Sequence, residues 1–149
     1  MKLKIYKTYI LKSYLYYFLI ISLIFTLLSF FLNILEEIVF FEKYDAGAYY
    51  PVLLTFLNTP SILFEIFPFI FLITSQLIFI KFKENDELNL LKVTGIDNFS
   101  LVRLLFYLSL VMGVIITLGF YTFSSNLKHN YLLIKNKFTD DKKYLAAIN

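Results

Sequence analysis

The most chemically loaded residue of the chain is a carboxylate inside an apolar run, Glu65 in "TPSILFEIFPFIFLITSQL". An ionised group at bilayer depth is costly and reads as functional by default, whereas one at the membrane–water interface stays hydrated at little cost. Pro60 interrupts the run just before it and would set Glu65 toward the outer interface, so both readings stand. Asn33 and Gln76 are polar side chains in similar surroundings, suited to hydrogen bonds between helices worth about 1 kcal/mol each. Catalytic constellations are missing. His129 is the only histidine and there is no cysteine, which leaves no ligand cluster for a metal and no thiolate chemistry. The four glycines, Gly47, Gly95, Gly113 and Gly119, are not grouped into a phosphate cradle. The apolar runs hold no paired carboxylates and no serine–histidine arrangement. The chain is therefore read as not an enzyme, with no cofactor and no metal.

The chemistry that remains is recognition, and it concentrates in "KFKENDELNLLKVTGIDNFS". Asn85 or Asp86 can cap a helix by accepting from an exposed backbone N–H, and Glu87 suits the positive end of that helix. Leu88 and Leu91 form a narrow apolar stripe flanked by Lys92, and Gly95 provides the left-handed residue that stops a helix. Asp97 or Asn98 can cap the next one. The pattern predicts a short amphipathic helix over about 86–95. It fits a helical hairpin resting at the membrane surface, and equally a helix that inserts into a groove on a cytoplasmic ATPase through apolar anchors and a rim charge.

Three long elements must position this loop. The composition is 59% hydrophobic and 20% aromatic, with a mean hydropathy of +0.72, beyond what a soluble core absorbs. Apolar runs of membrane-crossing length, uncharged in the first and third and interrupted by Pro60, Glu65 and Pro68 in the second, predict spans at about 13–35, 52–80 and 104–127. The first is too long for a cleaved signal peptide and is followed by no small-x-small site. In the second, Pro60 and Pro68 predict a helix beginning near Pro60 and kinked near Pro68. Pro51–Asn58 before it is either a short interfacial helix or part of the same one. Tyr14, Tyr16 and Tyr17 suit an interfacial belt. Gly113 and Gly119 lack the spacing of close-packing motifs. The fold class is all-α, a membrane protein of three transmembrane helices with a short cytoplasmic helix between the second and third.

Lysines set the orientation. Lys2, Lys4, Lys7 and Lys12 precede the first span, while Glu36, Glu37, Glu42 and Asp45 follow it against Lys43. The positive-inside rule then places the N-terminus and the loop Lys81–Arg103 in the cytoplasm. The tail, 128–149, falls outside although it carries Lys128, Lys135, Lys137, Lys142 and Lys143. The net charge of +3 lies at the edges of apolar runs, which suits membrane orientation rather than nucleic-acid binding.

The chain resembles the N-terminal part of the LptF/LptG family of lipopolysaccharide-export permeases. Three features carry the resemblance, in the family's order: "IYKTYILKSYL" leading into the first span and its "FFLNILEEI" exit, the double-proline "TPSILFEIFPFIFLITSQL", and "DELNLLKVTGI" in the loop. The last is similar to the family's Ser-Glu-Leu … Gly stretch, with Glu87, Leu88 and Gly95 in the acidic, leucine and glycine positions and Asp86 replacing the serine. The "FFLNILEEI" exit is closer to the LptG branch.

The resemblance implies six membrane helices with a periplasmic β-jellyroll-like domain between the third and fourth. It implies a second LptF/LptG-type permease subunit, an LptB-like ATPase dimer and an LptC-like protein as partners, with lipopolysaccharide drawn from the bacterial inner membrane as substrate. The loop helix becomes the coupling helix, with Glu87 meeting basic residues of the ATPase and Leu88 and Leu91 as anchors. Residues 128–149 are expected to begin the periplasmic domain, which makes the chain a fragment or a truncated product. The alternative expectation is a structural or accessory membrane module without transport activity of its own. Two features depart from the family pattern. Asn33, Glu36 and Glu37 stand where some members place lysines suited to lipid phosphates, and Phe123–Ser124–Ser125 replace a proline after the third span.

Overall fold

The computed structural model describes residues 2–44, 47–93, 95 and 97–139. Asp45 of the acidic loop, Thr94 of the loop helix, and Lys142 and Lys143 of the tail lie outside them. Helix α1 covers Lys2–Phe41 and is followed by a 3-10 turn, Glu42–Tyr44. Helix α2 covers Tyr49–Glu84, α3 Glu87–Val93 and α4 Asn98–Ile115. A π-helical stretch, Ile116–Phe120, joins α4 to α5, Tyr121–Asn136. No strand occurs among the described residues. Three helical stretches are long and apolar enough to cross a membrane: Tyr6–Tyr44, Tyr49–Glu84 and Asn98–Asn136. Helix is the form such runs must take, because lipid offers no partner to an unpaired backbone N–H or carbonyl.

Each of these helical stretches is longer than the apolar run that predicts it. Helix α2 passes unbroken through Pro60 and Pro68, so Pro51–Asn58 is part of it rather than a separate interfacial helix. Pro51 falls in the first turn, where no intrahelical N–H is needed. Around Pro60, threonine hydroxyls tie down the helix locally: Thr55 Oγ1 donates to the Pro51 carbonyl and Thr59 Oγ1 to the Thr55 carbonyl, both at 2.7 Å. At the other end of the chain, α5 continues past Leu127 to Asn136 despite its charges.

The chain forms two compact units. One comprises Met1–Leu23 and Phe67–Ile115. Its core is a stripe on α1, Ile10, Tyr14, Phe18 and Ile21, together with Ile70, Ile78 and Phe82 of α2 and Leu101 and Leu105 of α4. The spacing of the α1 stripe is that of one helix face. Phe18 stacks on both Phe67 and Phe71, and the Tyr14 and Ser109 hydroxyls share a hydrogen bond of 2.8 Å.

The other unit comprises Ile24–Ile66 and Ile116–Asn149. Here the buried residues of α1 are mostly polar: Ser29, Asn33 and Glu37, ending at Phe41. Phe41, Leu54 and Tyr131 form its apolar core, with Tyr50 and Phe138 packed against it. In both units large apolar side chains also face outward, among them Leu19 and Leu23 in the first and Leu27 and Phe31 in the second, as expected of surfaces that meet lipid or other membrane helices.

Candidate functional site

The loop between α2 and α4 is built by backbone conformation first. Helix α2 ends as Asn85 N–H and Asp86 N–H bond the carbonyls of Lys81 and Lys83, at 3.0 and 3.3 Å. Asp86 then takes a left-handed conformation, φ 55°, which redirects the chain. Its carbonyl starts α3 by accepting from Asn89 and Leu90 N–H, at 3.0 and 3.2 Å. The Asp86 carboxylate accepts from the Asn89 side-chain amide at 3.3 Å rather than from a backbone N–H. Gly95 closes the helix with φ 87°, its N–H donating to the Lys92 carbonyl at 2.9 Å. Asp97 caps α4 as its sequence position suggests, its Oδ1 accepting from Ser100 N–H at 3.1 Å. Hydrogen bonds from the Ser100 side chain and backbone hold the Asp97 carboxyl below its usual range.

Glu87 is fixed from a distance. The hydroxyl of Tyr9 on α1 lies 3.1 and 3.2 Å from the two carboxylate oxygens, and Asn85 Nδ2 is 3.5 Å from one of them. Tyr9 is itself set by stacking on Phe82, with ring centroids 5.9 Å apart. The α3 side chains divide by face. Leu88 and Leu91 are half-buried, Lys92 is exposed, as is Asp86 just before the helix, and Leu90 and Val93 stand out at 66% and 86% exposure. Sequence reasoning missed Tyr9 as a partner because no local pattern connects positions 78 residues apart.

The polar residues of the apolar runs take separate places. Asn33 is buried; it donates to the Thr55 carbonyl at 3.4 Å and accepts from Asn58 Nδ2 at 3.1 Å. Glu65 is exposed and pairs with Lys128 at 3.2 Å. Gln76 is exposed on an apolar groove of about 410 Å³ lined also by Phe71, Phe79, Leu105 and Ser109.

Among the described residues the most buried charge is one of the carboxylates that the sequence reading sets after the first span. Glu37 lies within α1, 1% exposed, and its Oε1 accepts from Lys135 Nζ and Tyr131 OH of α5, both at 2.8 Å. Lys135 Nζ also lies 2.7 Å from the Tyr131 oxygen and 4.5 Å from the centre of the Phe40 ring. The pair lies beyond both apolar segments, where each helix supplies the group that neutralises the other. The signal in the sequence is the four-residue spacing of Asn33 and Glu37, matched by that of Tyr131 and Lys135.

Among the described residues no group of three His, Cys, Asp or Glu side chains could hold a metal. What the loop presents is a short helix with exposed apolar side chains and a carboxylate held by Tyr9. Residues 8–146 match the family model described as lipopolysaccharide export system permease LptF/LptG. Comparisons with curated proteins and with solved structures return no match. With its three membrane-crossing helices and a family match over nearly its whole length, the chain belongs to the LptF/LptG family of lipopolysaccharide export permeases, the membrane components of that transport system.

Proposed function

We propose that this chain supplies the N-terminal membrane portion of a permease subunit in an ABC transporter, which extracts lipopolysaccharide from the bacterial inner membrane for export to the outer membrane. Energy comes from an LptB-like ATPase dimer that docks on α3. The observation that carries this reading is the Glu87 carboxylate, held by Tyr9 at the start of a helix whose Leu90 and Val93 are exposed. Glu87 meets basic groups of the ATPase, Leu88, Leu90, Leu91 and Val93 provide apolar anchorage, and Asp86, Lys92 and Gly95 fix the helix ends and rim. Helix-in-groove docking needs these elements: a few apolar anchors and a charge at the rim.

The same reading places the N-terminus and α3 in the cytoplasm and residues 128–149 at the start of a periplasmic domain. A second LptF/LptG-type subunit and an LptC-like protein complete the assembly, and the LptG branch is the closer assignment. The test is co-purification of the cytoplasmic ATPase in detergent with the wild type and with Glu87→Ala. Recovery with the wild type and loss with the variant, at equal membrane insertion, is the expected result. Equal recovery of the ATPase by both would remove Glu87 from the interface.

A further inference from the structure

Within the unit that carries α3, a cavity of about 350 Å³ opens beside the start of α1 and the start of α4. Its size lies in the range of small-ligand pockets, about 300–1,000 Å³. Two cations line it, Lys7 and Arg103, with the side chains of Tyr6, Ser100 and Tyr107. Among the described residues no carboxylate lies within ion-pair distance of Lys7 or Arg103. Arg103 rests its guanidinium 5.8 Å from the Phe99 ring centre, and the nearby Asp97 carboxylate is engaged by Ser100. The Tyr6 hydroxyl is buried and has no hydrogen-bond partner. A buried donor without a hydrogen-bond acceptor, next to two cations that form no ion pair, is an arrangement completed by an anion with several acceptor oxygens, even with the Glu87 and Asp97 carboxylates in electrostatic range of Tyr6 and Arg103.

The depth of the cavity narrows the anion. Arg103 borders the uncharged run of its helix, and Lys7 lies about 1.7 turns before the uncharged run of α1, about 9 Å at 1.5 Å per residue. The headgroup layer on each side of a bilayer is about 6 Å thick, and a lysine stem can reach back toward it. We propose that this cavity binds the phosphate of an anionic phospholipid in the leaflet at the α3 end of the molecule. The phosphate oxygens accept from Lys7, Arg103 and Tyr6. An oxyanion of this kind could also come from free phosphate, but basic groups at headgroup depth, flanked by tyrosines, match a lipid.

The experiment is native mass spectrometry of the full chain in detergent, titrated separately with phosphatidylglycerol, phosphatidylcholine and inorganic phosphate. Phosphatidylglycerol is expected to bind at one saturable site. Lys7→Gln and Arg103→Gln should each weaken it about fivefold, the effect of one cation near a charged headgroup. Tyr6→Phe should weaken binding while leaving lipid-free thermal unfolding unchanged, which separates a lost donor from a lost fold. Lys12→Gln, an exposed cation on the same helix outside the cavity, should change nothing. Equal loss with Lys12→Gln, equal binding of phosphatidylcholine, or saturation by inorganic phosphate alone would each overturn the lipid site.

Discussion

Tyr9 and Glu87 meet through a single hydroxyl that lies within 3.2 Å of both carboxylate oxygens, joining the first helix to the loop helix. A helix of seven residues has too few internal hydrogen bonds to be stable alone, since nucleation fixes several residues for each bond gained. The Tyr9 tether, and the partial burial of Leu88 and Leu91, supply what the helix lacks.

Tyr9→Phe therefore keeps the stacking on Phe82 and removes the tether, together with the hydroxyl's contact to Ser13 on the same helix. Because this hydrogen bond is exposed, its loss should cost about 1 kcal/mol, raising amide exchange across Glu87–Val93 about fivefold. Hydrogen exchange read by mass spectrometry checks this. Unaltered exchange in that segment would mean that the tether does not order α3.

The spans and the loop helix were legible in the sequence because their signals are local. Uncharged length marks a membrane helix, and Gly95 stops α3 in the left-handed conformation expected of it. Asp97 caps α4 for the same kind of reason. What was not legible depends on helix phase and on distant partners. Glu36 and Glu37 look alike in sequence, yet Glu37 shares the inward face with Asn33 and is buried, while Glu36 is exposed. Nothing near Glu37 announces Lys135, 98 residues away, so the helix ends beyond Leu35 and Leu127 could not be placed by apolar length. Asn85 or Asp86 was expected to cap α3 through its side chain; the structure uses the Asp86 carbonyl and its positive φ instead.

Two left-handed residues, Asp86 and Gly95, give opposite substitutions opposite effects. At Gly95 nothing lies within 4 Å of an added Cβ, so Gly95→Ala meets only the backbone cost of its φ of 87°, about 1 kcal/mol. Asp86→Gly relieves the same kind of strain at φ 55° and forgoes only an exposed side-chain contact with Asn89. Exchange of the α3 amides should quicken in the first and slow or hold in the second. Faster exchange in Asp86→Gly would show that the carboxylate, not the backbone, sets the start of α3.

Asp97 makes the start of α4 sensitive to acid. Its folded-state carboxyl sits below the ordinary value because the charged form accepts from Ser100. The stabilisation is present above the unfolded-state pKa, about 4, and is lost as pH falls through the lower folded value. Protection of the Ser100 and Leu101 amides, corrected for intrinsic exchange rates, should hold from pH 7 to 5 and decline below 4. In Asp97→Asn this decline should be absent. A decline of equal size in the variant would assign it to another carboxylate.

The buried pair makes the sharpest prediction about stability. Lys135→Met leaves Glu37 as an uncompensated charge at 1% exposure and should cost about 3–5 kcal/mol. Glu37→Gln removes the charge on the other side but keeps an acceptor for Tyr131, so its cost should be smaller. Because the two groups act as one unit, the double variant Glu37→Leu with Lys135→Met should be far less destabilised than Lys135→Met alone. Tyr131 would then lose its acceptor, which keeps the double variant short of full recovery. Reversible unfolding in mixed micelles with rising dodecyl sulfate measures all three. If the double variant proved as unstable as the sum of its parts, Glu37 and Lys135 would be acting independently rather than as one unit.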